Sequence, residues 1–150
     1  MILFATYSSP FGPIEIGYED EKLLSIRSSS CKTRHTPSAV SDLANTQLQE
    51  YFQGRRTQFD LPVSLIGTSF QLAVWNSLLE IPYGEVRTYS QIASRIGKPK
   101  ACRAVGQALN RNPLWIVVPC HRVIGKNLSL TGYAGGPEMK RALLELEQIL

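Results

Sequence analysis

The sequence predicts an α+β protein of two small domains, with strands first and helices after. Three observations carry that reading. Ile14, Ile16 and Tyr18 alternate with Glu15, Gly17 and Glu19, the period of a half-buried strand, within a β-like stretch from Ile2 to Arg27. From Thr68 the pattern changes: Thr68-Ser69-Phe70-Gln71 and Thr88-Tyr89-Ser90-Gln91 are capping boxes, and each opens an apolar helical repeat. A run of strands followed by a run of helices is the α+β order. The charge also splits at the same place. Residues 1–66 carry six basic and seven acidic side chains, and residues 67–150 carry ten basic and five acidic ones.

A chain of 150 residues suits one domain or two small ones, and 43% apolar content argues against disorder. Cys31, Cys102 and Cys120 are odd in number and include no CxxC pair, which points to a reducing compartment rather than a disulfide framework. No apolar run approaches a membrane span, and Met1 to Ala5 lacks the basic start and long apolar core of a signal peptide. A soluble, cytoplasmic protein is the expectation. Between Val86 and Pro137 there is no Asp or Glu, while Arg87, Arg95, Lys98, Lys100, Arg103, Arg111, Arg122 and Lys126 all fall there. A basic block without compensating acids is the footprint of a polyanion partner, and nucleic acid is the first candidate.

In chain order, Ile2 to Tyr7 reads as a short strand, and residues 8–13 as a turn cluster. The alternating strand follows, Asp20-Glu21-Lys22 turns the chain, and Leu23 to Arg27 returns it. Residues 28–38 read as a polar loop. Cys31 and His35 there have a metal-ligand spacing, but the only other His is His121, so a zinc set is not expected. Ser41 to Phe52 reads as a helix with Leu43, Ala44, Leu48, Tyr51 and Phe52 on its apolar side and Gly54 at its end. Residues 55–65 are a connector with some strand character. The domain boundary is expected within 60–67, which gives domains of 1–63 and 64–150.

The first capped helix runs through Phe70, Val74 and Leu78 and breaks at Pro82-Tyr83-Gly84. The second carries Tyr89, Ile92, Ala93 and Ile96 on one side and ends at Gly97. A third is expected from about Lys100 to Asn110, so the last two form a helix-turn-helix pattern. In that third helix Cys102, Val105 and Leu109 form a core seam, and Lys100, Arg103, Gln107 and Arg111 lie off it. Ala104, Gly106 and Ala108 allow close approach to another surface. A small basic outward helix suits DNA contact, and a solvated basic face on an enzyme is the alternative.

Leu114 to Val118 then delivers the chain to Pro119-Cys120-His121-Arg122, and Val123 and Ile124 follow. The run reads as a buried strand segment interrupted by a turn. Successive strand side chains point to opposite faces, so Cys120 and His121 cooperate only if the backbone turns, which Pro119 favours. A thiol beside an imidazole and a guanidinium suits a reactive thiolate. A buried Cys with a snorkelling Arg in a core strand is the other reading, and both stay open. Residues 125–132 read as a hairpin or wing, and Tyr133 to Gly136 as a Gly-rich loop. Pro137 opens a last helix with Met139, Ala142, Leu143, Leu146 and Leu150 as its stripe; Glu145 and Glu147 flank it, and spacing does not say which faces the tetrad.

Pro119-Cys120-His121-Arg122-Val123, preceded by Arg103-Ala104-Val105-Gly106 and Asn112-Pro113 and followed by Gly132-Tyr133-Ala134-Gly135-Gly136, resembles the O6-alkylguanine-DNA alkyltransferase family. The likeness is dense from about Gly67 to Glu147. Before that, Ser9-Pro10-Phe11-Gly12 is its main echo. The resemblance implies an N-terminal three-stranded antiparallel α/β domain of ribonuclease-H-like form and a C-terminal winged helix-turn-helix. It implies irreversible transfer of an alkyl group from guanine O6, less readily thymine O4, to Cys120, once per molecule, with the base flipped out through the minor groove. It implies a monomer acting on double-stranded DNA, with no cofactor and no metal.

By the same resemblance His121 takes the thiol proton through a water and Glu147 orients and charges His121. Tyr89 donates near N3 of the leaving guanine, and Asn112 braces the turn that holds Cys120. The backbone N–H of Ala134 assists at O6, at a position where the family often has Ser. The carbonyls of Cys120 and Val123 read the guanine amino group, Trp115 borders the alkyl pocket, and Tyr133 is a further substrate-binding residue. Arg103 enters the base stack, and Lys100, Gln107 and Arg111 join it on the DNA. Core packing for Tyr89, a phosphate contact for Arg103 and a surface acid for Glu147 are the plainer alternatives. Two other classes compete: a DNA-binding module without chemistry, and a Cys-His hydrolase, for which no oxyanion arrangement is visible.

Overall fold

The structure, a computed structural model, describes residues 1–29, 34–126, 129–130 and 132–150. Cys31 and three residues of the expected wing, 127, 128 and 131, lie outside those described. The chain divides into two compact units, Met1–Leu65 and Ile66–Leu150.

In the first unit β1 (Leu3–Tyr7), β2 (Ile14–Glu19) and β3 (Lys22–Ser28) form an antiparallel sheet in the order β1-β2-β3. Asp20 and Glu21 both take positive φ, 51° and 58°, which matches a two-residue hairpin turn to the strand twist. As the middle strand, β2 is covered more fully than its alternation predicts. Ile14, Ile16 and Tyr18 are buried, but so are Glu15 and Gly17. Glu15 is held by Arg34 at 3.2 Å, and a Cβ at Gly17 would meet Ser25 Oγ and the Phe4 ring. The half-buried reading of this strand is corrected accordingly. The connector expected at 55–65 does carry strand character: Leu23 pairs with Val63 in a parallel bridge.

Helix α1 (Ala39–Phe52) starts at the Ser38 capping box. It ends in a Schellman motif, with Gly54 N–H to Tyr51 O at 3.0 Å and Arg55 N–H to Glu50 O at 2.8 Å. Its buried face is Val40, Ser41, Ala44, Gln47, Leu48 and Tyr51. Leu43, expected on that face, is exposed, because it sits one position off the 40-44-47-51 row.

In the second unit α2 (Ser69–Leu78) and α3 (Tyr89–Arg95) both begin at the capping boxes read from the sequence, with Thr68 and Thr88 as N-caps. The strand β4 (Arg87–Thr88) precedes α3 and pairs in parallel with β5 (Val123–Ile124). α3 closes with another Schellman motif: Gly97, φ +77°, donates to Ser94 O and Lys98 N–H donates to Ala93 O. Lys98 O then accepts from Ala101 N–H at 2.9 Å, and α4 (Cys102–Asn110) follows. This is the expected helix-turn-helix. Val105, Ala108 and Leu109 form the buried seam of α4, and Trp75 Nε1 donates to Ala108 O at 2.9 Å to seat α4 on α2. Cys102, in the first turn, is only half-buried.

Helix α5 (Pro137–Leu146) has Pro137 in its first turn, as expected. Its buried side is Met139, Lys140, Leu143 and Leu144, so Met139 and Leu143 of the predicted stripe are buried and Ala142, Leu146 and Leu150 are not. The helix ends at Leu146, so Leu150 is exposed and Ala142 and Leu146 are half-buried.

Candidate active site

The segment read as a buried strand, Leu114 to Val118, is instead a pair of tight turns. Val117 N–H donates to Trp115 O at 2.8 Å across Ile116, whose φ is +74°. That is a γ-turn of the rare, strained hand, and at a β-branched residue it costs about 1–3 kcal/mol. Cys120 N–H donates to Val118 O at 2.8 Å across Pro119, at φ −82° and ψ 63°, an inverse γ-turn. Cys120, His121 and Arg122 then form one turn of 3-10 helix. The alternation of a strand is thereby lost, and Cys120 and His121 belong to one compact turn, as the position of Pro119 suggests.

Asn112 holds this irregular backbone. Its Nδ2 donates to Val118 O at 2.8 Å and to Cys120 Sγ at 3.1 Å, and its Oδ1 accepts from Leu114 N–H at 3.0 Å. One buried side chain thus closes the loop between α4 and the 3-10 turn and touches the sulfur.

Glu147 is the acid that faces the tetrad, and Glu145 is exposed. It stands at the C-cap of α5, where the chain turns away through Gln148 at φ 62°. Gln148 N–H donates to Glu145 O and Ile149 N–H to Leu144 O, a Schellman motif built without glycine. The Glu147 carboxylate meets His121 Nε2 at 2.7 Å, Arg122 Nε at 2.9 Å, Arg122 Nη2 at 3.1 Å and the Gly84 N–H at 3.1 Å. Arg122 Nη1 also donates to Ile81 O at 2.8 Å, and its guanidinium lies 5.7 Å from the Tyr83 ring centroid. These groups form a buried ionic cluster in which His121 and Glu147 have no exposed side-chain surface.

Lys140, on α5, is 1% exposed and donates through Nζ to Val123 O at 2.6 Å. Neither the role of Arg122 nor the burial of Lys140 is read from the sequence. The missed signal is the spacing of Lys140 with Met139, Leu143 and Leu144 on the inner side of α5.

Burial pushes the Cys120 thiol up to about 11, against the opposing pull of the Asn112 hydrogen bond and the Lys140 charge. At neutral pH the resting group is therefore the thiol, so nucleophilic chemistry here needs a base at hand. Burial lowers His121 below its ordinary 6.5; the Glu147 hydrogen bond raises it, and the Arg122 and Lys140 charges lower it. His121 Nδ1 is buried with no partner among the described residues, and so is the Tyr133 hydroxyl. Burial raises the phenols of Tyr89 and Tyr133, and both also feel the charge of Cys120. Both stay neutral phenols at neutral pH. A Cβ at Gly135 would strike both the Tyr133 ring and Met139 Sδ, and the Tyr133 ring lies 6.3 Å from that of half-buried Trp115. The structure therefore gathers Cys120, His121, Glu147, Asn112, Tyr89, Tyr133 and Val123 in this one unit. Lys100, Arg103, Gln107 and Arg111 are all exposed at α4 and its ends. Among the described residues no group of three or more His, Cys, Asp or Glu side chains is arranged to hold a metal.

Two family models match the chain. Residues 69–149 match the 6-O-methylguanine DNA methyltransferase DNA binding domain, and residues 2–65 match the ribonuclease-like domain of the same family. The chain belongs to this family. Among members of the methyltransferase family, the methylated-DNA–protein-cysteine methyltransferase of Methanosarcina acetivorans is 48% identical, covering 96% of this chain and 97% of that one. The protein of the same name from Mycobacterium tuberculosis H37Rv is 47% identical over 99% and 93% of the two chains. The crystal structure of Mycobacterium tuberculosis OGT in complex with DNA superposes with a TM-score of 0.89, at 48% identity, over 97% of this chain and 92% of that one. Methyltransferase family membership carries the expected α+β architecture, the three-stranded antiparallel unit followed by the helical one. No helix of the described residues is long and apolar enough to cross a membrane.

Proposed function

We propose that this protein repairs double-stranded DNA by moving an alkyl group, methyl above all, from guanine O6 to its own Cys120, once per molecule. Thymine O4 is the slower substrate. The observation that carries the reading is the buried Cys120 sulfur held by Asn112, next in the chain to a His121 whose Nδ1 is bare and whose Nε2 is anchored on Glu147.

The steps follow from the chemistry of the groups. The proton of Cys120 passes through a water to His121 Nδ1. The thiolate attacks the alkyl carbon; the S–C bond forms, and the C–O6 bond breaks with its electron pair leaving on guanine. Thiolate is the soft nucleophile that an unactivated alkyl carbon requires. Tyr89, kept a phenol by its surroundings, donates toward N3 of the leaving base, and the Ala134 backbone N–H assists at O6. The carbonyls of Cys120 and Val123 accept from the exocyclic amine, and Trp115 and Tyr133 wall the alkyl group. The thioether has no route back to thiol, so the molecule is spent.

A stacked base cannot reach a buried sulfur, so the nucleotide is flipped out through the minor groove. Arg103 fills the vacated stack, and Lys100, Gln107 and Arg111 hold the backbone. The first unit, Met1–Leu65, is a scaffold, and the second, Ile66–Leu150, carries contact and chemistry; the boundary lies two residues later than the expected 63/64 because Ser64 N–H still bonds Leu23 O. The protein acts as a monomer in the cytoplasm and needs no cofactor.

Incubation with an excess of duplex containing O6-methylguanine, read by intact mass, tests this. The expected result is a gain of one methyl group on Cys120 and a stop at one equivalent. Continued turnover would mark a hydrolase, and no transfer would mark a DNA-binding module without chemistry.

A further inference from the structure

The buried charges around His121 hold more than the transfer reaction uses. Glu147 receives Arg122 through both Nε and Nη2, together with the Gly84 N–H, so it is a full carboxylate and can only accept. His121 Nε2, 2.7 Å away, must therefore carry a hydrogen and donate it. Nδ1 is then either a bare lone pair or the second N–H of an imidazolium. The imidazolium would be a third buried cation beside Arg122 and Lys140, with no carboxylate of its own, because Glu147 is already taken by Arg122 on both oxygens. The cost of such an unpaired buried charge is large, so the bare lone pair is the resting form.

We infer that Arg122 is a positioning residue of the transfer reaction: by taking the Glu147 carboxylate on both oxygens it keeps His121 neutral, in the Nε2–H tautomer, with Nδ1 ready to accept the Cys120 proton. This rests on the alkyl-transfer reading. It changes the part assigned to Glu147. An unshared carboxylate beside His121 would make the imidazole easier to protonate, and below the new inflection the base would already be occupied. Glu147 shared with Arg122 orients the ring, and Arg122 offsets part of the basicity that Glu147 adds. The charged and titratable groups facing His121 are Glu147, Arg122, Lys140 from α5, and Cys120, and the directions agree: Glu147 favours the imidazolium, while Arg122 and Lys140 oppose it.

The test reads the imidazole itself. Long-range nitrogen–proton NMR of His121 in the unreacted wild-type protein is expected to show the Nε2–H tautomer and no protonation at neutral pH. In Arg122→Met the inflection is expected to rise by about one pH unit, with a smaller rise in Arg122→Lys, which keeps the charge but loses the two-pronged grip. The acid side of the rate profile for alkyl transfer to free O6-benzylguanine moves up by the same amount. Below that inflection the rate is then about tenfold lower than wild type at the same pH, and at high pH the two converge. A purely structural role for Arg122 would lower the rate equally at every pH and leave the imidazole where it was. That outcome, an unmoved or lowered inflection, overturns the inference. So does a wild-type His121 found as the Nδ1–H tautomer or as imidazolium at neutral pH, a result that needs no variant to fold. The NMR titration does not depend on transfer: if it behaves as expected while no alkyl group moves, the reading of function fails and the inference about His121 stands.

Discussion

The two units bury polar side chains in contrasting ways. In the first, Glu15, Ser41 and Gln47 are buried and each is answered: Glu15 by Arg34, Ser41 by Ser38 and Tyr7, Gln47 by the N–H and C=O of Asp60. In the second, Asn112, His121, Arg122, Lys140 and Glu147 converge on the turn carrying one sulfur. There His121 Nδ1 and the Tyr133 hydroxyl are left without partners among the described residues. A satisfied buried group holds a fold. An unsatisfied one costs about 1–3 kcal/mol and persists where chemistry uses it. Positive φ draws the same distinction. At Asp20 and Glu21 it belongs to an ordinary hairpin, whereas at Ile116 it is strain stored four residues before Cys120.

If that contrast is sound, the largest effect lies at the sulfur. Cys120→Ala should abolish transfer while leaving a folded protein that still binds duplex DNA, checked by intact mass and by DNA titration. Residual transfer would move the acceptor elsewhere and dissolve the distinction between the units. Next comes Arg103→Ala. Extruding a base costs a few kcal/mol, so duplex repair should slow by about 100-fold, while reaction with free O6-benzylguanine should change only a few-fold. Equal slowing of both substrates would assign Arg103 to the fold or the thiolate. Trp115→Ala is smaller again. It opens the wall beside Tyr133 and should favour the benzyl over the methyl substrate by roughly tenfold. Rates changing in step would make Trp115 a packing residue alone.

The smallest effect sharpens the comparison from the other side. Gln47→Ala removes both bonds to Asp60 and should cost about 1–2 kcal/mol of stability by denaturant unfolding. Its second-order rate with free O6-benzylguanine should equal that of the wild type. A parallel loss of rate would show that the first unit shapes the chemistry as well as the fold.

Much of the fold was legible because local rules decide it. The capping boxes at Thr68 and Thr88 set two helix starts to the residue, and Gly54 and Gly97 set two ends, since each supplies the left-handed residue of a Schellman motif. The alternation at 14–18 located β2. The failures occur where tertiary contacts override local pattern. The apolar run Leu114 to Val118 looks like a strand, yet Asn112 bonds it into two γ-turns. Glycine is absent from the end of α5, where Gln148 takes the left-handed conformation instead, so the helix stop that places Glu147 left no mark in the residues.

By itself the sequence determined the order of strands and helices, the basic acid-free stretch, the helix-turn-helix, and the Pro-Cys-His-Arg tetrad with its family likeness. These depend on neighbours a few residues apart, whose spacing is fixed by backbone geometry. Only the tertiary structure decided that Glu147 rather than Glu145 serves His121, that Arg122 divides that carboxylate with it, and that Lys140 is buried on Val123 O. Those choices join groups 17 to 26 residues apart in the chain. A charge is tolerated in the interior only when its partner has been brought there by the packing of other elements, and no local pattern records which partner that is.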